Sequence, residues 1–173
     1  ASFAGMYETF LGTTRETLEA NILNAWTSML DWRVVEYKTQ QGIAIDNPAI
    51  SIVVQHQIES DISGVGFSLN PLNNCFDEVV INASFGLGEA IVSGTVTPDE
   101  YVVEKVSNRI LSKVVNEKAT MLRLGANGGV EQASPTAPLA QALNDEQILE
   151  LSGLISQCES HYGHPVDIEC AFA

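Results

Sequence analysis

The feature that most constrains the fold is the stretch from Ile81 to Tyr101, where an apolar strand leads into a glycine-spaced turn. The strand is predicted by Val79-Val80-Ile81, the turn by Gly86 and Gly88, and a short amphipathic segment by Glu89 to Val92. A strand that feeds a glycine-rich turn can bring backbone amides close to a phosphate. Glycines at this spacing also allow a helix to pack closely on a sheet, and the turn alone favours this second interpretation.

The rest of the chain alternates between helical and strand patterns, which indicates an α+β fold. A capping box at Thr13–Glu16 predicts the start of a helix, and Gln40-Gln41-Gly42 its end. A second helix is predicted after Asn144, which forms a capping box with Gln147, and Gly163 with Pro165 ends it. Strands are predicted at 50–54, at 64–69 as its hairpin neighbour, at 78–83, at 101–104 and 110–115 as a further hairpin, and at 166–172.

The composition predicts one globular domain without a nucleic-acid partner. The 173 residues are 45% hydrophobic, and their net charge is −14, from 8 Lys and Arg against 22 Asp and Glu. Binding to a phosphate backbone requires clustered cations, which this balance does not favour. An acidic chain also repels a polyphosphate unless Mg²⁺ or cations from elsewhere offset its field. We therefore expect any nucleotide bound here to arrive with a cation.

The sequence predicts no membrane partner and a cytoplasmic location. The apolar runs reach about half the length that crosses a bilayer, and no secretory pattern is present. The odd number of cysteines, 3, suggests reduced thiols. We expect residues 1–173 to form a single partial domain of a longer protein, with a flexible connection at about 124–143, where Gly, Ala, Pro and Ser are frequent.

Two carboxylates on the last predicted strand are the best candidate metal ligands. Asp167 and Glu169 are two residues apart, so they share one face of that strand. Paired carboxylates attract a hard cation such as Mg²⁺, although a solvated strand face gives the same pattern.

Gln55 is a candidate for contact with the adenine base. It ends a β-branched run, and its carboxamide offers the donor and acceptor that an adenine edge requires. An ordinary polar residue of an edge strand explains Gln55 equally well.

Four segments, in their order and separation, resemble the nucleotide-binding domain of the phosphoenolpyruvate synthase and pyruvate, phosphate dikinase family, to which rifampin phosphotransferase also belongs. The resemblance covers nearly the whole chain. The segments are the opening Ala-Ser-Phe-Ala-Gly-Met-Tyr-Glu-Thr-Phe-Leu, Ala49 to Ile58, Ser63-Gly-Val-Gly-Phe-Ser-Leu-Asn-Pro71, and the closing His161-Tyr-Gly-His-Pro-Val-Asp-Ile-Glu169.

This resemblance implies the C-terminal portion of an ATP-grasp-like domain that binds ATP with Mg²⁺. It implies nucleotide contacts at Gly5, Thr9, Gln55 and Glu169, with Glu169 also a metal ligand and Asp167 beside it. The family converts ATP to AMP and passes a phosphoryl group through a histidine to pyruvate or another acceptor. That histidine lies in a Thr-Ser-His type motif on a separate domain, and no such motif occurs here.

The expected partners are therefore ATP, the N-terminal half of the same domain, and the phosphohistidine domain of the same protein. Alternatives are a rifampin phosphotransferase-like enzyme and a non-catalytic interaction module that kept the fold. His56 and Cys170 depart from the family's pattern and favour the non-catalytic module.

We expect the isolated chain to be inactive and to self-associate. We also expect Glu159 to lie on the solvated side of its helix, where its loss would be nearly silent.

Overall fold

The computed structural model describes residue 3, residues 5–46 and residues 48–173. These fall into two compact units, one of residues 1–57 with 124–130 and one of residues 58–123 with 131–173. No helix within the described residues has the length and apolar character needed to cross a membrane.

The first unit is helical. It contains α1 (Leu18–Thr27), a 3-10 turn (Ser28–Leu30) and α2 (Trp32–Gln40), whose cap Asp31 accepts a 2.9 Å hydrogen bond from the Arg33 amide. No residue of α1 is buried. As predicted, α2 ends at Gln40 and is followed by Gly42 at a φ of 66°.

Two sequence predictions in the first unit are wrong. The capping box at Thr13–Glu16 does not form, because α1 begins after Thr17 and the Thr14 amide instead donates to Thr17 Oγ1 at 3.0 Å. Residues 50–54 are not a strand, since no other described segment pairs with them. A β-branched run becomes a strand only where a neighbour accepts its backbone hydrogen bonds.

The second unit is built on a five-stranded antiparallel sheet in the order β4-β3-β2-β1-β7. The strands are β1 (Ile62–Phe67), β2 (Glu78–Phe85), β3 (Asp99–Glu104), β4 (Arg109–Val114) and β7 (Asp167–Phe172). The second sheet pairs β5 (Met121–Leu124) with β6 (Val130–Ala133). The helices are α3 (Glu89–Val92) and α4 (Asp145–Tyr162). The predicted hairpin of β3 and β4 is confirmed, whereas β1 pairs with β2 and β7 rather than with residues 50–54.

The core lies between one face of this sheet and α4. It is formed by Val79, Ile81 and Ala83 of β2, Tyr101 and Val103 of β3, and Ile148, Leu151 and Ile155 of α4. At Gly66 a Cβ atom would lie 2.3 Å from Ile155 Cδ1, so the absence of a side chain lets α4 approach the sheet. The predicted capping box at the start of α4 is confirmed: Gln147 N donates to Asn144 Oδ1 and Asn144 N donates to Gln147 Oε1, both at 2.9 Å.

The segment at 124–143 contains regular and buried structure. Strand β6 occupies residues 130–133, and Ala142 and Leu143 belong to the core. The flexibility expected of this connection stays a prediction.

Candidate functional site

The candidate site lies on the sheet face opposite α4. Antiparallel register places Asp167 opposite Phe67, and Glu169 opposite Val65. Directly opposed residues on neighbouring strands project from the same face of a sheet. Along β7, exposed residues alternate with half-buried ones, and both carboxylates are on the exposed side. The predicted pairing of Asp167 and Glu169 on one strand face is therefore observed.

The two carboxylates line a cavity of about 510 Å³. Five apolar residues belong to its lining: Val65, Phe67, Ile91, Val92 and Ile168. The polar side chains in the lining are those of Asp167, Glu169 and Asn82 of β2. Small-molecule sites typically combine an apolar wall with a few polar groups at about this size.

Neither carboxylate is neutralised by the part of the chain that the structure describes. Asp167 and Glu169 form no ion pair and no side-chain hydrogen bond with any described residue. A pair of exposed carboxylates without counter-charges can accept a cation from solution.

A larger depression of about 740 Å³ lies at the turn between β3 and β4. Its acidic groups are already engaged, since Asp145 pairs with Lys113 at 2.7 Å and Glu104 accepts a hydrogen bond from Ser107. The Lys113 ammonium beside Asp145 holds the pKa of that carboxyl below its usual range. We place the candidate site at the smaller cavity because its carboxylates have no such partners.

The glycine-spaced turn at Gly86–Gly88 is used for packing. The Gly86 amide donates to Asp61 O at 2.7 Å, and the Leu87 amide donates to Leu122 O at 2.8 Å. Gly86 O accepts from the hydroxyls of Ser60 and Ser63 at 3.1 and 2.7 Å. Gly86 has a φ of 77°, and a Cβ there would lie 2.1 Å from Leu122 O. Because the amides of Gly86 and Leu87 already have partners, they are not available to a phosphate, which favours the packing interpretation.

The other three predicted nucleotide contacts, Gly5, Thr9 and Gln55, belong to the first unit and are exposed. Gly5 has a φ of 70° and no described atom within 4 Å of the position that a Cβ would take. The side chains of Thr9 and Gln55 have no hydrogen-bond partner among the described residues. Their neighbour Gln57 is engaged, because its Oε1 accepts from the Gly12 amide at 2.6 Å.

The interpretation of Cys170 changes with the structure. Cys170 alternates with Glu169 along β7, packs against the core on the α4 side, and donates its thiol hydrogen to Gly64 O at 3.4 Å. Burial raises the pKa of this thiol. Cys170 therefore does not line the cavity that Glu169 faces. Its presence gives little support to the alternative that the chain is a non-catalytic module without a nucleotide site.

The expectation for Glu159 is wrong. Glu159 Oε2 pairs with Lys105 Nζ at 2.6 Å, and Oε1 accepts from Ser68 Oγ at 3.2 Å. Ser68 Oγ in turn accepts from the Val166 amide at 2.8 Å. Glu159 thus connects α4 directly to the residues that follow β3 and β1, and through Ser68 to the residue that precedes β7, which helical periodicity alone did not show.

Asn82 was not singled out by the sequence, although a signal was present. It is the polar residue that interrupts the apolar run of β2 after Val79-Val80-Ile81. A buried polar network around Asp99 and Lys118 was missed as well, because its members are distant in sequence.

Comparison with known proteins identifies the family. Residues 1–173 match the family described as "Pyruvate phosphate dikinase, AMP/ATP-binding domain". The chain is 42% identical over 175 residues to the "Uncharacterized phosphotransferase YvkC" of Bacillus subtilis, covering 100% of this chain and 21% of that protein. It is 40% identical over 181 residues to the "Phosphoenolpyruvate synthase" of Pyrococcus furiosus, covering 99% of this chain and 22% of that protein.

A third relative carries a different name. The chain is 35% identical over 172 residues to the "Rifampicin phosphotransferase" of Bacillus cereus, covering 98% of this chain and 20% of that protein. The chain thus spans about a fifth of the length of these relatives. The family resemblance read from the four segments is confirmed, and the chain belongs to the pyruvate phosphate dikinase AMP/ATP-binding domain family.

Proposed function

We propose that this chain supplies one wall of the ATP site of a phosphoenolpyruvate synthase-like phosphotransferase. The observation that carries the proposal is the cavity in which Asp167 and Glu169 face an apolar wall without counter-charges. Family membership supports ATP as the ligand. The complete protein would move a phosphoryl group from ATP, through a histidine on another domain, to pyruvate.

The residues present fit a magnesium ion only in part. Asp167 and Glu169 offer carboxylate oxygens from Cα atoms about 7 Å apart along the strand. The described residues contain no cluster of three acidic, histidine or cysteine side chains able to hold a metal. Mg²⁺ typically keeps several waters and binds through one or two carboxylates together with substrate phosphates. We propose Glu169 as the metal and nucleotide ligand, and Asp167 as the second carboxylate beside it.

In the first unit, Gly5, Thr9 and Gln55 are proposed as further nucleotide contacts. Each is exposed, and Gly5 leaves open space where a side chain would stand. A glycine permits close approach of backbone, a threonine offers a hydroxyl, and a glutamine offers both a donor and an acceptor. Their role is supported by the family motif that contains them.

The phosphoryl acceptor distinguishes the first alternative. Relatives of similar identity are named as phosphoenolpyruvate synthases and as rifampicin phosphotransferases. Both would use the same ATP-binding portion and differ in the acceptor. A rifampicin phosphotransferase-like enzyme is therefore our second candidate, and a regulatory module that kept the fold is the third.

The remaining parts of the proposal concern the longer protein. We propose that an N-terminal half completes an ATP-grasp-like domain, that a phosphohistidine domain accepts the phosphoryl group, and that the protein is cytoplasmic. Phosphoryl transfer depends on positioning and on stabilisation of charge. Since the carrier histidine and most cations would lie elsewhere, the 173-residue chain alone would produce no AMP from ATP and pyruvate.

Calorimetric titration of the full-length protein with ATP, with and without Mg²⁺, tests the proposal. We expect saturable binding of ATP that strengthens when Mg²⁺ is added. Absence of ATP binding under both conditions would reject the enzymatic proposal and favour the non-catalytic module. Assays of the same protein with pyruvate and with rifampicin as acceptors separate the two enzymatic candidates.

A further inference from the structure

Asn82 occupies the row of residues that crosses the sheet through Glu169. On one side it lies opposite Val65 of β1, which itself lies opposite Glu169 of β7. On the other side it lies opposite Glu100 of β3. The four residues Glu100, Asn82, Val65 and Glu169 therefore project from the same face. Asn82 is thus separated from Glu169 by a single strand.

The side chain of Asn82 is half-buried and has no hydrogen-bond partner among the described residues. Its backbone is held by the pairing of β2 with β1 and β3. Asparagine is disfavoured in strands, and here it interrupts an otherwise apolar run. A carboxamide held in this way, without a partner, remains free to bind a ligand.

Among the described residues that line the cavity, Asn82 is also the only one whose side chain carries N–H donors. The other polar side chains there, Asp167 and Glu169, accept hydrogen bonds only when ionised, and the rest are apolar. An anionic oxygen that entered this cavity would meet two negative charges and one donor. Asn82 is therefore the group of this lining best suited to contact an anionic oxygen of a nucleotide.

We propose that Asn82 is a nucleotide-binding residue, whose amide group donates to a phosphate or ribose oxygen of the ligand that Glu169 holds through its cation. This inference rests on the proposed ATP site and names one further contact within it. In this role the neutrality of Asn82 matters as much as its donor. A carboxylate at this position would add a third negative charge to the cavity.

The test measures equilibrium binding of ATP to the full-length protein by calorimetry in saturating Mg²⁺, using Asn82→Ala and Asn82→Asp. Loss of a hydrogen bond to a charged group predicts about tenfold weaker binding for Asn82→Ala. Asn82→Asp keeps the shape but replaces the donor with a charge, so it should weaken binding more than Asn82→Ala does. If Asn82 only filled space, Asn82→Ala would bind ATP normally, because no hydrogen bond would be lost, and the added charge of Asn82→Asp alone would weaken binding.

Asn108→Asp is the matched control. Asn108 is exposed at the turn between β3 and β4, has no side-chain hydrogen bond with a described residue, and lies outside this cavity. The substitution Asn108→Asp adds the same negative charge as Asn82→Asp and should leave the affinity for ATP unchanged. Melting temperatures of all variants show that the fold is retained.

The outcomes separate this inference from the proposed function. If the unaltered protein binds no ATP, the proposed function fails. If that protein binds ATP and Glu169→Gln weakens binding while Asn82→Ala binds normally, the assignment of Asn82 is overturned and the proposed function stands. If Asn82→Ala weakens binding about tenfold and Asn82→Asp weakens it further, the inference is supported.

Discussion

Lys118 and Asp99 form an ion pair whose two side chains are completely buried, with Lys118 Nζ 2.5 Å from Asp99 Oδ1. The pair is embedded in further polar contacts. Asp99 accepts from the amides of Asn116 and Ala142 at 2.9 and 2.7 Å. Lys118 donates to Asn116 O at 2.8 Å, and its ammonium lies 5.4 Å from the centre of the Phe85 ring. Through these contacts Asp99, the first residue of β3, binds Asn116 and Lys118 after β4 and Ala142 before α4.

Replacing Lys118 by methionine should lower the free energy of unfolding of the protein strongly. The change leaves the Asp99 carboxylate buried without its cation, and breaking such a pair typically costs about 3–5 kcal/mol. The free energy of unfolding from urea titration measures the loss. Lys113→Met is the control, because the pair of Lys113 with Asp145 is exposed to solvent and should contribute little to the free energy of unfolding. Equal losses for the two variants would contradict a special role for the buried pair.

The free energy of unfolding should decrease at alkaline pH because of the buried Tyr101 phenol. Burial raises the pKa of the Tyr101 phenol, which donates to Asp99 Oδ2 at 2.9 Å. Below the ordinary tyrosine pKa of about 10, the phenol is protonated in both the folded and unfolded states. Above it, the unfolded chain loses this proton while the folded state retains it, so stability declines as pH rises.

Comparison of Tyr101→Phe with the unaltered protein isolates this contribution. The variant should be less stable at pH 7, since it loses the bonds to Asp99 and to the Leu143 amide. Its unfolding free energy should decline less steeply between pH 9.5 and 11. Identical slopes for both proteins would show that Tyr101 ionises as readily in the folded state as in the unfolded chain.

In the full-length protein, Glu169→Gln should lower Mg²⁺-dependent turnover by at least about tenfold. The change keeps the shape of the side chain and removes a charge whose interactions contribute about 1.5–3 kcal/mol. Folding should survive, because the side chain makes no ion pair among the described residues and one like charge beside Asp167 is removed. Turnover is measured at limiting Mg²⁺.

Glu150→Gln is the appropriate control for Glu169→Gln. Glu150 is exposed on α4 and has no side-chain partner among the described residues. Glu159 is unsuitable, because its pairing with Lys105 and Ser68 makes a loss of stability the expected result. Full activity of Glu169→Gln at limiting Mg²⁺ would refute its assignment as the metal ligand.

The 173-residue chain should self-associate at high concentration. Val53 and Val54 have 84% and 63% of their surfaces exposed, in a stretch that pairs with no strand formed by the described residues. Unpaired β-branched segments and exposed apolar side chains favour association. Light scattering should show a mass that rises with concentration, and a double change of both valines to serine should reduce it. A monomer at all concentrations would contradict the expectation.

The elements predicted correctly are those that local signals specify. The start of α4 is encoded by Asn144 and Gln147, and the β3–β4 hairpin by alternation within a short range. The alternation of β7 likewise placed Asp167 and Glu169 on one face. These features depend on neighbours in sequence, which is why one chain was sufficient to predict them.

The features missed depend on partners far along the chain. Residues 50–54 have strand composition, but a strand requires a neighbouring strand, which composition does not encode. Glu159 looked solvated by helical periodicity, yet Lys105 lies 54 residues before it. Asn82 enters the candidate site only through its register with Val65 and Glu169. Such pairings become visible only once the sheet order is known.

The sheet order has a consequence for the motions of the candidate site. Within the part of the chain that the structure describes, β7 lies at the edge of the sheet, and β1 alone supplies its ladder of backbone hydrogen bonds. Edge strands open locally at lower free energy than strands paired on both sides. We therefore expect the strand that carries Asp167 and Glu169 to exchange its backbone amide hydrogens sooner than the strands in the middle of the sheet do. A cation and nucleotide that bridge these carboxylates to the rest of the cavity would slow amide hydrogen exchange along β7. Binding at the candidate site and ordering of β7 would therefore increase together.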